Sequence, residues 1–506
     1  MSSSTRSQIY TVFIVIAASL ILGRIMAVNR IDYARLQQDR LSQIPKQLAE
    51  KEKRLRSKNI AENEIQESLE ATRIKLQKDA QLECPVFSAN DRSRWDTIRV
   101  LAEPEMRVPE PTTNATAWYA IDKAQNEKNW DTIDMVKHTG HLYSSKPPLL
   151  PTVLALPYYI IYHSSGKRLS LGKTPFQVVR LMLIVCNLIP IIIAWVLLSR
   201  LIEYFGTTDW GRIFATAFVC FGTFISTFAV TLNNHLPAVF CITVALYSIV
   251  KITVQGENKK RYYLLAGFFG TFAVACELPA LLFLVFTIIL LFFRNRVHPT
   301  EMSRFSAPHF VSFLIPALLV AGAFFTTNYI AHQTVLPAYS QKDWYFFEYE
   351  RGGVVRQSYW HNPQGLDKGE ASRAAYIFHC LIGHHGLFSL TPVWFLSFIG
   401  LGMWLRNNDY RSLAVAILIT GFVVFTFYMM QSQAQRNYGG MTSGLRWMFW
   451  FIPLWSVPLV SAADWLSRTK LRRSFAFLCL AVSVMSVAYP VWNPWTMPWL
   501  FQWLNN

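Results

Sequence analysis

The chain has 506 residues, 52% of them hydrophobic and 15% aromatic, with a formal net charge of +17. Several apolar runs are long enough to cross a hydrocarbon layer of about 30 Å, which excludes an ordinary water-soluble domain. The basic residues gather in the short connections between those runs, so the charge reads as a cytoplasmic-side bias and as contact with anionic lipid, not as nucleic-acid binding.

Ile9 to Leu22 and the residues that follow make a first membrane helix within residues 1–28, with no small-residue cleavage site behind it, and it reads as a retained anchor. Residues 33–82 are rich in Lys, Arg, Glu and Gln. Leu41, Ile44, Leu48 and Leu55, then Ile65, Leu69 and Leu76, fall at helical spacing, which predicts a helical hairpin too polar for a core of its own. Such an arm serves as a protein-partner element or as a solvated spacer. From Cys84 to Ser145 the composition turns mixed polar and aromatic, the mark of a folded loop, and it leads into Lys146-Pro147-Pro148-Leu149. Two prolines suit a first helical turn, so a helix starts there and brings its free N–H groups and positive dipole end beside Lys146. That arrangement suits a phosphate; the plain alternative is a snorkelling lysine with no ligand.

Further membrane segments are expected at 178–200, 211–231, 235–252, 261–294, 309–330, 388–405, 411–430, 445–462 and 473–490. As one helix, 261–294 would be about 50 Å long, and Glu277-Leu278-Pro279 interrupts it, so it divides into two. With 149–162 at the interface, the fold class is an all-α integral membrane protein of about eleven transmembrane helices. The basic connections then lie inside, and the loops 29–177, 332–387 and 431–444 lie outside. A rival topology, in which 149–162 crosses and 261–294 crosses once, is separated from this one by segment length and hardly at all by charge. The chain thus parses as an anchor (1–28), an arm (33–82), a membrane module (84–330), an aromatic-rich outer loop (331–387) and C-terminal membrane helices (388–506).

Asp91, Arg92, Arg94, Asp96 and Arg99 crowd carboxylates among guanidinium groups, a pattern common on surface helices. Glu277 lies between two apolar runs, where a carboxylate is costly unless it faces a cavity or a partner; Asn233, Asn234 and His235 share that logic or cap a helix. Trp344 to Tyr349 with Tyr359 and Trp360 suit sugar or acceptor binding, or an interfacial aromatic belt. The histidines show no closed ligand motif and the seven cysteines no metal spacing, so no metal is assigned. A disulfide between Cys84 and Cys380 stays open.

An acid soon after the first membrane helix, a lysine before Pro-Pro-Leu at the end of the same loop, and many membrane helices thereafter resemble the GT-C superfamily of membrane glycosyltransferases. The likeness is to the branch with protein O-mannosyltransferases and lipid A aminoarabinose transferases. Asp91-Arg92-Ser93-Arg94-Trp95 resembles the family's first-loop acidic element, with Arg92 where a second acid often stands. Gly140 to Leu149 resembles its Gly-x-x-Tyr-x-x-Lys-Pro-Pro-Leu element, and Pro175 to Leu181 its arginine-bearing segment. Fragments at Gly386 to Pro392 and at Tyr438 to Arg446 are family-like. The resemblance implies transfer from a polyprenyl-phosphate sugar, with inversion, on the outer face of what would be a bacterial inner membrane, to an acceptor it does not name. Asp91 is then the expected catalytic base; Arg94, Tyr143, Lys146, Arg180, His235, Glu277 and Arg446 are the expected substrate-binding residues, with no cofactor required. A transporter or flippase of an anionic lipid-linked substrate and a non-catalytic scaffold are the rival classes.

Overall fold

Membrane-type apolarity and local capping chemistry together set the element order. In a computed structural model, residues 1–28, 34–58, 60–80, 88–110, 115–127, 130–170, 175–293, 307–351, 354–490 and 493–505 are described. Helix α1 (Ser3–Met26) opens where Ser2 Oγ accepts the Thr5 amide, answering one of the unpaired donors of a first turn. Arg6 at its foot pairs with Glu203 and Asp209, the latter at 2.8 Å. Helices α2 (Ala34–Arg56) and α3 (Glu62–Ala80) pack on each other, with Lys51 Nζ donating to the Ser68 carbonyl at 3.2 Å.

Among the described residues three small two-stranded antiparallel sheets accompany the helices, and the fold is otherwise all-α as expected. Helix α4 (Ala89–Ala102) is capped by Ser88 Oγ, and after it come β1 (Val108–Pro109), β2 (Thr116–Ala117) and the short α5 (Asp122–Asn126). Strands β3 (Met135–His138) and β4 (His141–Ser144) follow, paired Met135 to Ser144 through His138 to His141. Both residues of their turn, Thr139 and Gly140, have positive φ, 49° and 86°, as the tight turn that matches strand twist requires. The hairpin delivers the chain to α6 (Leu149–Ser165), whose first turn holds Pro148 at the cap. Helix α6 buries Leu150, Leu154 and Tyr158 and leaves Val153, Leu156 and Ile160 exposed, so its protein-packed and outward faces are both apolar.

Helices α7 (Pro175–Leu183) and α8 (Ile189–Phe205) form one long rod with a π turn between them, at Ile184–Leu188, ahead of Pro190. The expected span 211–231 does not form whole. Helix α9 (Asp209–Phe221) stops early, and a short 3₁₀ turn at Thr227–Val230 carries the chain to α10 (His235–Thr253). Buried side-chain amides satisfy the freed backbone: Asn187 Nδ2 donates to the carbonyls of Ala229 and Thr231, both at 2.9 Å, and Asn233 Nδ2 donates to Thr231 O at 3.1 Å. Irregular backbone at such depth needs partners of this kind.

The break expected at Glu277 is present: α11 (Lys260–Cys276) ends on Glu277, and a 3₁₀ turn leads into α12 (Leu281–Phe293). Helix α13 (Ala307–His332) then runs to the aromatic-rich loop, where β5 (Glu348–Arg351) pairs with β6 (Val354–Gln357). Helices α14 (Arg373–Leu381), α15 (Leu387–Leu390), α16 (Val393–Leu405), α17 (Arg411–Met429), α18 (Ile452–Leu466), α19 (Lys470–Ala488) and α20 (Trp499–Asn505) complete the order. Among the described residues seven helices are long and apolar enough to cross a membrane, and α12 and α16 belong to shorter apolar segments. The interior is a continuous apolar cluster with close helix contacts; a Cβ on Gly267 would lie 2.0 Å from the Phe313 carbonyl oxygen, and one on Gly400 2.0 Å from that of Pro458. Small residues permit such approach between membrane helices. Cys380 is a buried free thiol, and Cys84 lies outside the described residues.

Candidate functional site: a cation-rich cavity

A cavity of about 2250 Å³ opens among α4, the end of the β3–β4 hairpin, the starts of α10 and α12, the aromatic-rich loop and the C-terminal segment. Five basic side chains line it, Arg92, Arg94, Lys146, Lys342 and Arg446, against three carboxylates, Asp134, Glu277 and Asp367. One flank is apolar, with Leu278, Leu281, Val285, Val423 and Phe427; another carries Tyr345, Tyr359 and Trp360.

The hairpin register creates the central pair. Ser145 N donates to Asp134 O at 3.1 Å, continuing the ladder, so the residues flanking its open end come together. There Lys146 Nζ lies 3.0 Å from Asp134 Oδ1. Ser93 Oγ, on α4, donates to the Asp134 carbonyl at 2.6 Å and so ties the hairpin to that helix. Burial raises the Asp134 carboxyl, but Lys146, with Arg446 and Arg94 behind it, outweighs burial and holds it below its ordinary value. Burial also lowers the Lys146 ammonium, and Arg94 and Arg446 reinforce this while Asp134 opposes it. Both members of the pair shift downward, Lys146 chiefly through burial and Asp134 through the cations around it, and the surplus of cations suits an anionic ligand.

A second polar group sits where α10 begins. Asn234 Nδ2 donates to Glu277 Oε1 at 2.6 Å and to the Cys276 carbonyl at 2.9 Å. His235 Nδ1 pairs with the same Oε1, and Arg94 Nη2 donates to Asn234 Oδ1. The other nitrogen of Arg94, Nη1, is held by Asn90 at 2.7 and 2.8 Å. Arg446 is oriented by Nε donating to the Gly439 carbonyl at 2.7 Å and by its place over the Trp495 ring at 5.2 Å. The turn that offers this carbonyl has positive φ at Tyr438, Gly439 and Gly440, a conformation costly for Tyr438 and therefore held by its surroundings. On the aromatic flank, Asp367 accepts from Asn437 Nδ2 at 2.9 Å and from the Tyr359 hydroxyl at 3.0 Å. The indole of Trp360 donates to the Ile133 carbonyl at 3.2 Å. Asn437 and Asp367 carry no local signal that would have marked them from the sequence.

Arg94, Lys146, His235, Glu277 and Arg446 thus meet in one cavity, and three expected residues do not line it. Asp91 is 1% exposed. Its Oδ1 accepts from Trp95 Nε1 and from the Leu232 amide, both at 3.0 Å, and its Oδ2 accepts from Thr231 Oγ1 at 2.7 Å. Thr231 Oγ1 in turn accepts from Trp495 Nε1 at 3.1 Å. Asp91 therefore braces α4 against the broken segment before α10 and against the C-terminal wall, and its lone pairs are committed. Tyr143 packs away from the cavity, stacked on His138 at 4.1 Å and 2°. It occupies the hairpin face turned to Val136, Ala331 and Ala338, which the alternation of strand side chains dictates. Arg180 Nε donates to the Val28 carbonyl at 3.3 Å, at the end of α1, so it neither lines the cavity nor packs on Glu277. Among the described residues no three of His, Cys, Asp and Glu are placed to hold a metal ion.

Replacing Asp91 with asparagine is expected to act on folding. One amide N–H₂ would face the Thr231 hydroxyl that now donates, at a cost of about 1–3 kcal/mol for mispaired buried groups. Thermal unfolding in detergent should show a lowered midpoint, with turnover per folded molecule reduced less than about tenfold. A loss beyond about a hundredfold in protein that remains folded would return Asp91 to a chemical role.

No family model matches the chain, and no curated protein matches it. Solved structures do. The oligosaccharyltransferase of Archaeoglobus fulgidus in complex with Zn and sulfate is 11% identical, with a TM-score of 0.43 over 82% of this chain and 50% of that one. The archaeal oligosaccharyltransferase AglB from Archaeoglobus fulgidus, in complex with an inhibitory peptide and a dolichol-phosphate, is 11% identical with a TM-score of 0.42, covering 82% and 53%. ArnT from Cupriavidus metallidurans in the apo state is 13% identical with a TM-score of 0.39, covering 76% and 56%. The chain spans about half the length of each.

Proposed function

We propose that this protein is an integral-membrane glycosyltransferase that moves a sugar from a polyprenyl-phosphate donor to an envelope acceptor. The observation that carries the reading is the convergence of Arg94, Lys146 and Arg446 with the Asp134 carboxylate in one cavity that has an apolar flank. A lipid-linked sugar phosphate needs those three features together: apolar surface for the chain, fixed cations for the phosphate, and a base for the acceptor. The acceptor hydroxyl loses its proton to Asp134 as its oxygen attacks the anomeric carbon. The bond from that carbon to the phosphate oxygen breaks, and its electron pair stays on the phosphate. Lys146, Arg94 and Arg446 meet the charge that grows there. Attack from the side opposite the leaving phosphate inverts the anomeric centre. Asp134 suits the base role better than Asp91 because it lines the cavity, and its Oδ2 has no donor among the described residues.

Release of polyprenyl phosphate from a radiolabelled polyprenyl-phosphate sugar by the purified protein in nanodiscs, with membrane extract supplying the acceptor, tests the reading. A donor that is bound and never cleaved would favour the transporter class instead. The site lies on the outer face in this reading, which the basic inner connections support. Trp118 is 47% exposed, so a single cysteine placed there is expected to react with an impermeant thiol reagent in intact cells. Labelling only after lysis would reverse the orientation.

A further inference from the structure

We propose that Asp134 and the donor phosphate compete for Lys146, so that the base is freed only when the donor has arrived. The inference rests on the donor reading above and adds an order to it. Both partners of the pair line the cavity and lie 3.0 Å apart through a single oxygen, Oδ1. The pair is not locked by its surroundings: the side chains are 15% and 19% exposed, and no described residue other than Lys146 donates to the Asp134 carboxylate. The neighbouring polar groups differ. Arg94 is held by Asn90 and Asn234, and Arg446 by Gly439 O and Trp495, whereas the described partner of Lys146 is one carboxylate at the cavity wall. An ammonium is a compact point charge that can turn from a carboxylate to a phosphate without a fixed fork geometry.

While Lys146 sits on Oδ1, that oxygen is a weak proton acceptor, because the adjacent positive charge favours the ionised form. The donor's phosphodiester brings a full negative charge on two non-bridging oxygens into a cavity where Arg94 and Arg446 also face it, and with them it takes the ammonium over. The groups that set the basicity of Asp134 are then Arg94, Arg446 and the phosphate itself, with the Tyr345 and Tyr359 hydroxyls on the aromatic side. Positive charge near the carboxylate falls as negative charge arrives, so its affinity for a proton rises at the moment an acceptor can be attacked. A water molecule or an early acceptor meets a muted base, and the arrangement guards the donor against idle hydrolysis.

The consequence is a substitution that improves binding and abolishes turnover. Asp134→Asn removes the competitor for Lys146, so farnesyl phosphate, a short polyprenyl monophosphate, is expected to bind about fivefold more tightly than to wild type, the worth of one partly exposed pair. Asp134→Ser should behave alike and covers the case in which one variant folds poorly. General loss of negative charge is controlled by Glu277→Gln, which removes a carboxylate from the same cavity without touching Lys146 and should tighten binding by less than twofold. Equal dissociation constants for wild type and both Asp134 variants overturn the inference, as does an equal gain in Glu277→Gln. A wild-type protein that binds no farnesyl phosphate overturns the donor reading and this inference with it, so the two failures are told apart.

Discussion

Lys146→Ala is expected to lower donor-dependent transfer by a factor on the order of 100, equivalent to about 3 kcal/mol, with the greater part in kcat. The ammonium lies in a cavity wall, 3.0 Å from Asp134, where a charge-assisted contact to phosphate is stronger than it is in water. Charge on the phosphate oxygen grows as the sugar departs, so a contact that strengthens along the reaction affects the chemical step more than binding. Lys146→Arg should recover only part of the loss, because a guanidinium offers a planar fork where the cavity accepts a point charge. A snorkelling lysine would show the reverse: arginine would replace it freely, and alanine would change membrane stability but not turnover. Titration of a polyprenyl-phosphate sugar against the three proteins in nanodiscs decides between the two.

Asp134→Asn is expected to abolish transfer to within about one part in 100 of wild type or less, since it keeps the shape of the side chain and removes its basicity. The contrast with Asp91→Asn is the informative comparison, because that change should appear in the melting temperature instead. The pH profile gives a second check. The folded-state carboxyl is held below its ordinary value of 3.8, so in the free protein Asp134 stays ionised above that pH and loses its charge only as pH falls below it. The acid limb of kcat/KM, which reports the free protein, should therefore lie below that of kcat, in which phosphate has taken Lys146. Its contribution to stability has the same sign, present at neutral pH and lost on acidification. Superimposed acid limbs would argue against Asp134 as the group that titrates.

Much of the helical architecture was legible because it rests on the length and apolarity of the runs. The break at Glu277-Leu278-Pro279 is the clearest case: a proline and a carboxylate within an apolar run of excessive length force the helix to end, and α11 ends there. The loss of the 211–231 span was not legible. Its apolar composition is that of a helix, and what breaks it is a set of amides from Asn187 and Asn233 that accept the task of pairing its backbone. Lys146 was legible because two prolines follow it. The place of Asp134 beside Lys146 comes from a hairpin that the composition of the loop concealed. The opposite holds for Asp91: a carboxylate in a charged cluster looks available in the sequence, and its bonds to Trp95, Thr231 and Leu232 appear only in the tertiary structure.

The β3–β4 hairpin also acts as a ruler. Eleven residues separate Asp134 from Lys146, and the turn at Thr139-Gly140 stands near their midpoint, so the spacing is fixed by folding the strand back on itself. A length change confined to the turn leaves acid and lysine facing each other, provided the strand register is kept, whereas one residue lost from β4 carries Lys146 to the opposite face. Relatives too diverged to match overall could then be sought by this geometry: an acid, a turn near the centre, and a lysine that opens a proline-started helix. In such a search the distance on either side of the turn would carry more information than the identity of the residues between.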